Sequence, residues 1–597
     1  MMERGPGNVI RWLFDSRHGA PGRLVPRWIV LRALALIYFS AFYSLLFQIN
    51  GLIGPQGILP AQGYLAAVAQ SLGLARYWYA PSLFWLSSST AMLLAVTWIG
   101  LAASVVAFFN LWPRLSFFVC FVCFLSFVAA SGVFSGYQSD GMLLAAGFLA
   151  LFFAPSGLKP GWGAHHPPSR AALFLLQWEW FRIYFESGMV KLASGDPEWR
   201  HLTAMDQYYQ NGPLPTWIGW YVQHLPHWFQ VATAGGTLAL ELGIVFMLFF
   251  PRRVRLICFF IVTPWEIVVI LTANYTFLNY LVLTLGFLLL DDKFLLRFVP
   301  ARFRPRETEK IEPLEFREEQ PISILAAPES APPAPISEPA APSIEPSAQT
   351  GSSEPAPTPP QTPAGQAVPQ PVPAFLTAVR PHPKPFRRLS DHFAALRLAF
   401  AVVLLTWIAY ATTAQLLAIP FRDIPLPTAP ISALEPFRIA NQFGLFAVMT
   451  RGRDEIEFQG SDDGQHWVAY PFRYKPQALN QPPGLYAPYQ PRFDWNLWFA
   501  SLGDWQQNQI VPLTEERLLV NDSAVLSLFR SNPFPQIPPR YVRAVLWQYW
   551  FTSMAEKRRT GDWWRRQLLG LYAPVLTLAP DGRFAAVQMP AELPPHD

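Results

Sequence analysis

Residues 171–192 read AALFLLQWEWFRIYFESGMVKL. The run is long enough to cross a bilayer as a helix, which takes about 20 residues. It is apolar and aromatic except for Glu179, Arg182, Glu186 and Lys191. A charge near the bilayer centre costs about 2.5–3.5 kcal/mol even on the lenient insertion scale, so these side chains must face protein or water rather than lipid. Glu179, Arg182 and Glu186 stand three and four residues apart and share one helix face, where Arg182 is placed to bridge both carboxylates. Arg32, Glu241 and Glu266, each inside another apolar run, are the candidate partners for whatever stays unpaired. The seven together form a candidate intramembrane polar cluster. It is either an ionic network that fixes the packing of a bundle or a working polar cavity.

The rest of the chain agrees with a membrane reading. Of its 597 residues 52% are hydrophobic, 15% aromatic and only 14% charged, well below the charge content of soluble domains. Further apolar runs lie at about 28–49, 83–109, 115–135, 140–154, 229–250, 254–273, 276–297 and 396–418, which with the first makes about nine spans. The N-terminal tail carries Arg4, Arg11, Arg17, Arg23 and Arg27, and alternate loops carry Arg114, Lys159, Arg170 and the Arg252, Arg253, Arg255 group. Basic residues collect on the cytoplasmic side, so the N-terminus is expected inside and everything after about 420 outside. The first run begins deep and lacks a small-residue cleavage site, so it reads as an anchor. The net charge of +5 sits in short arginine clusters that mark topology, and no nucleic-acid partner is expected.

The expected organisation is a cytoplasmic tail at 1–27, a helical bundle at 28–300, a disordered Pro/Ala-rich cytoplasmic linker at 301–390, a last transmembrane helix at 391–419, and an extracytoplasmic β-rich domain with α+β character at 420–597. The linker rests on composition: residues 321–385 hold about a third of the 60 prolines, with too little apolar surface to offset ordering entropy. In the outer domain, alternation at Ile456 and Phe458, the Gly460-Ser461-Asp462-Asp463-Gly464 turn, and alternation at Val468, Tyr470, Phe472 and Tyr474 predict a hairpin with one buried face. Residues 518–530 and 540–551 have spacing compatible with short helices. Its roughly 170 residues suffice for a core of its own.

Catalytic signatures are missing: there is no phosphate loop, dinucleotide fingerprint, HExxH or GxSxG. Cys120 and Cys123 spell CxxC inside an apolar run, where packing is the expected role, and Cys258 is similarly placed. His224 and His227 flank Pro226 with no acidic or cysteine cluster alongside, so neither metal nor cofactor is expected. Asn274 and Asn521 begin glycosylation sequons on the expected outer face.

Several blocks together resemble the lipase maturation factor family. They are Leu31-Arg32 through Gln48 to GLIGPQGILP at 51–60, FESGMVKL at 185–192, GDPEW at 195–199, NQFGLF at 441–446, FRYKP at 472–476, PRFDW at 491–495 with Trp498-Phe499, NPF at 532–534, PRYVR at 539–543, and Trp563-Trp564. The resemblance runs in order along nearly the whole chain. It implies a multi-pass membrane protein that helps secreted lipases fold, assemble and become active, without being an enzyme itself. In animal relatives the membrane is that of the endoplasmic reticulum. The proline-rich insertion and the lack of outer-domain cysteines suggest a bacterial member in the inner membrane.

The implied partners are a secreted lipase client and the lipid bilayer. Trp495, Trp498, Phe499, Phe534, Arg540, Trp563 and Trp564 are the candidate client-binding residues, unless a core buries them. The rival reading is an intramembrane enzyme, because the bundle loosely resembles vitamin K-dependent carboxylase-like proteins, with Glu186 and Lys191 then lining a reaction cavity.

Overall fold

The computed structural model describes residues 6–305, 385–421 and 423–591. Most of the expected linker therefore lies outside the described residues. The described residues up to 305 and from 394 onward fold as one compact unit.

A helix stands at each apolar run: α1 (Leu24–Leu46), α2 (Thr90–Phe108), α3 (Pro113–Val128), α4 (Gln138–Phe153), α5 (Arg170–Ala193), α7 (His227–Leu242, extended to Phe249 by a 3-10 turn), α8 (Arg252–Thr272), α9 (Leu278–Gly286) and α10 (Pro385–Ala418), with α6 (Ala204–Asn211) between α5 and α7. Five of these segments among the described residues are long and apolar enough to cross a membrane: α1, α2, α7 with its extension, α8 and residues 392–418 of α10. α3, α4 and Leu278–Leu289 are apolar but shorter, and α5 has the length but carries Glu179, Arg182, Glu186 and Lys191 after its first residue, Arg170.

Small residues set the close contacts inside the bundle, as expected where helix backbones must approach. α1 packs on α2, α2 on α3 and α3 on α4. A Cβ on Gly147 of α4 would meet the Tyr38 hydroxyl of α1 at 1.9 Å, and one on Gly100 of α2 would meet the Phe42 ring at 2.3 Å. Cys120, Cys123 and Cys258 are buried free thiols.

The C-terminal half carries an antiparallel sheet in the order β2-β1-β3-β5-β6, with β4 also pairing β3. Its strands are β1 (Arg453–Ser461), β2 (Val468–Ala469), β3 (Tyr541–Phe551), β4 (Trp564–Leu571), β5 (Val575–Leu578) and β6 (Phe584–Gln588). Two helices, α11 (Arg492–Ala500) and α12 (Ile510–Leu519), pack on it.

Two local expectations are corrected. Residues 541–551 form the central strand rather than a helix: β3 pairs with β1 over nine residue pairs, from Arg453↔Tyr549 to Ser461↔Tyr541. The hairpin exists, with Gln459 opposite Ala469, but its second arm is two residues long and β1 is buried along its whole length. The charged face of β1 is covered because its charges are paired: Lys475 lies 2.7 Å from Glu455, and Arg566 of β4 lies 3.1 Å from Glu457. Nor does the sheet have a separate core. One continuous apolar cluster includes Tyr38 and Leu52 from the helical half and Ile456, Phe458 and Phe493 from the sheet half.

Candidate functional site

The charged face of α5 holds the backbone of another segment. Arg182 Nε donates to Glu186 Oε1 at 2.7 Å, with both side chains buried. The other Glu186 oxygen accepts the Phe443 amide at 2.6 Å, while Arg182 donates to the Asn441 carbonyl. At the next residue, Ser187 Oγ accepts the Leu445 amide at 3.3 Å. Lys191 Nζ donates to Glu241 Oε1 of α7 at 2.8 Å and to the Leu445 carbonyl at 3.0 Å. Beyond the helix, Trp199 Nε1 donates to the Phe446 carbonyl at 2.9 Å and Asp196 accepts the Met449 amide at 2.6 Å. Residues 441–449 have no strand neighbour to satisfy them, and buried backbone groups need partners, so polar side chains of α5 and of the residues just after it supply them.

This geometry corrects the expected pairing. Arg182 bridges to Asn441 rather than to Glu179, and neither Glu179 oxygen has a hydrogen-bond partner among the described residues. Arg32 does not join the cluster: its guanidinium lies 4.5 Å from the Trp28 ring of its own helix and donates to the Trp28 carbonyl. Glu266 forms a second network, accepting from Tyr184 Oη and Asn279 Nδ2, each at 2.6 Å.

A second interlock was not singled out from the sequence. Arg492 at the start of α11 is fully buried and forks onto both oxygens of Asp140 in α4 at 2.7 and 2.8 Å, with a further bond to the Phe134 carbonyl. Gln48, just past α1, accepts the Arg492 amide at 2.8 Å and donates to the Gln490 carbonyl at 2.9 Å. Asp140 heads the fourth apolar run as a lone acid, which is the signal that could have found it. Asn274 is a third such residue. It is buried, donates to the Gly484 carbonyl and accepts the Tyr486 amide, so this sequon asparagine is a clasp in the folded chain.

The interlocks shape two cavities that share Tyr208, Tyr275, Leu278, Leu445 and Phe446 as a wall. The smaller, about 410 Å³, is lined by Tyr137, Met449, Trp495, Trp498, Phe499 and Leu502 among others. Of the candidate client-binding residues it thus gathers Trp495, Trp498 and Phe499. The two tryptophans are buried in its wall, while Phe499 is 46% exposed. Trp564 is buried against Tyr549 and Phe551, Trp563 packs on Trp220, Phe534 packs on Tyr470, and Arg540 is exposed beyond the strand end. These four do not line that pocket. The larger cavity, about 740 Å³, is lined by Lys191, Glu241 and Glu266. Glu186 instead faces the 441–449 segment. Among the described residues no group of three or more metal-ligating side chains occurs.

The two halves joined by these interlocks each match a family model: residues 25–297 match the lipase maturation factor transmembrane domain, and residues 439–574 the lipase maturation factor C-terminal domain. Lipase maturation factor 2 of Homo sapiens is 31% identical over 600 residues, covering 93% of this chain and 83% of that protein. The Gallus gallus protein of the same name is 32% identical, covering 96% and 85%. Lipase maturation factor 1 of Bos taurus is 28% identical, covering 94% and 91%. No solved structure matches the chain. With both domains matched in order and the similarity running from end to end, this chain belongs to the lipase maturation factor family.

Proposed function

We propose that the chain is a membrane-embedded factor that brings secreted lipases to their active state, with its helical half crossing the membrane about nine times and its sheet half on the outer side, where a secreted client emerges. The observation that carries this reading is the end-to-end similarity to relatives named lipase maturation factors. The 410 Å³ pocket supplies a place for the client. Phe499, Val448 and Leu502 stand exposed around walls of Trp495 and Trp498, the form of an aromatic anchor site for an unfinished apolar segment. A tethered pocket needs little intrinsic affinity, because the membrane holds it where clients appear.

The network on α5 acts in this reading as the support of the pocket. It fixes the 441–449 segment, and with it Phe446 and Met449, against the helices. The test compares secreted lipase amount with secreted lipase activity in host cells with and without the chain. Specific activity should fall without it and return with the wild-type protein, and it should return only partly with Phe499→Asp produced at normal level. Unchanged specific activity for every lipase of the host refutes the proposal.

A further inference from the structure

The larger cavity has a chemistry of its own. Its walls come from α5, α6, α7, α8 and α9 and are mainly apolar. At its rim Trp228 of α7 and Ile261 and Val268 of α8 stand exposed. Both helices are apolar enough to span a membrane, and most of their surface is uncovered by the rest of the chain. In a bilayer this mouth therefore opens toward hydrocarbon rather than water. A volume of about 740 Å³ is in the range that holds a small organic ligand.

The polar groups inside select the head of that ligand. Three charged side chains line the cavity, one lysine and two glutamates, so the balance is acidic. The three protons of Lys191 are directed to Glu241 Oε1, the Leu445 carbonyl and the Ser187 carbonyl, at 2.8, 3.0 and 3.5 Å. No ammonium proton is left for a carboxylate or phosphate head. Three buried polar atoms of its lining residues lack a hydrogen-bond partner among the described residues: Glu241 Oε2 and Asn279 Oδ1, both acceptors, and the Tyr275 hydroxyl, which can donate or accept. Asn279 is oriented by its own amide, which donates to Glu266, so its oxygen is the free end. A buried acceptor without a donor costs about 1–3 kcal/mol, which a donating ligand group recovers.

We infer that this cavity binds a single-chain amphiphile entering from the bilayer, with a head that donates hydrogen bonds, a long-chain alcohol or amine, in preference to a fatty acid. The inference does not rest on the lipase reading, since it concerns a different cavity and a different ligand.

The test uses the full chain in phosphatidylcholine nanodiscs and a photoreactive 18-carbon alcohol as probe. Labelling should saturate and map to α7 and α8. Oleyl alcohol, oleylamine or both should displace the probe at a concentration at least tenfold lower than oleic acid does. Displacement by the alcohol alone identifies a hydroxyl head, and displacement by the amine alone an ammonium head. Thr237→Phe, which fills the cavity from α7, should reduce saturable labelling at least tenfold with an unchanged melting temperature. Should that variant fail to fold, Val268→Trp at the exposed rim serves the same purpose. Equal competition by oleic acid, labelling that never saturates, or full labelling of a folded filled variant overturns the inference.

Discussion

Glu515 lies on α12 against β3 with its carboxyl group fully buried. Desolvation holds its pKa well above the ordinary glutamate value. Below that ordinary value the group is protonated in both folded and unfolded chains and has no effect on stability. As pH rises past it, the unfolded chain releases the proton while the folded chain keeps it, so stability falls by about 1.4 kcal/mol per pH unit until the raised value is reached. Glu515→Gln removes this dependence. The variant should melt higher than wild type at neutral pH in detergent, with the difference closing as the pH is lowered toward 4. A difference that is constant across that range refutes the assignment. Asp494, which burial raises to about 6, adds the same sign of dependence in the interval up to its own value. At this scale the sequence reveals where charges must be sheltered but not what shelters them. Glu186 and Lys191 are legible because a charge in an apolar run is costly, whereas their partners at Phe443 and Leu445 are main-chain groups that every residue carries. Asp140 and Arg492 lie 352 positions apart, and nothing local to either points to the other.

Helices were more legible than strands, and the reason is visible in β3. Its residues YVRAVLWQYWF bury Ala544, Val545 and Leu546 in succession, because β1 and β4 flank it and both of its faces are covered. The bulge opposite Leu546 and Trp547 lies in β4, where Leu569 is the extra residue, so β3 keeps its strand register while its burial does not alternate. The bundle helices show the opposite case, since an apolar run of spanning length has few other solutions. Their contacts make a prediction that belongs to the pair α1 and α4. Tyr38 donates to the Leu143 carbonyl at 3.1 Å, and its hydroxyl occupies the space a Cβ on Gly147 would need. Gly147→Ala should destabilise the chain by about 1–3 kcal/mol through overpacking. Tyr38→Phe, made together with it, removes the nearest clashing atom and should recover part of the loss, so the two changes are non-additive. Thermal melting of the four proteins of the cycle measures this, and strictly additive shifts refute the contact.

For the whole molecule the question is whether the two matched domains are two bodies or one. Composition and charge divide them at about 420. The folded chain joins them through Arg492 and Asp140, through Gln48, and through the segment held by α5, with an apolar core running across the join. Such a join is made of desolvated charges, and those are asymmetric: a buried pair adds little over an apolar replacement, but one partner left alone costs about 3–5 kcal/mol. Arg492→Leu strands Asp140, and Asp140→Leu strands Arg492, so each single variant should lose about that much. The double variant leaves no stranded charge and should lose clearly less than the sum. If the halves fold as one unit, every variant should show a single transition, with tryptophan fluorescence, which reports on both halves, and far-ultraviolet dichroism, dominated by the helices, moving together. Two separated transitions in Arg492→Leu, with helical signal surviving after the sheet has melted, would mean that the interlock docks two independent domains. Coincident transitions mean that the pocket around Trp495 and Trp498 exists only while the helical half is folded, which ties the proposed client surface to insertion of the helices.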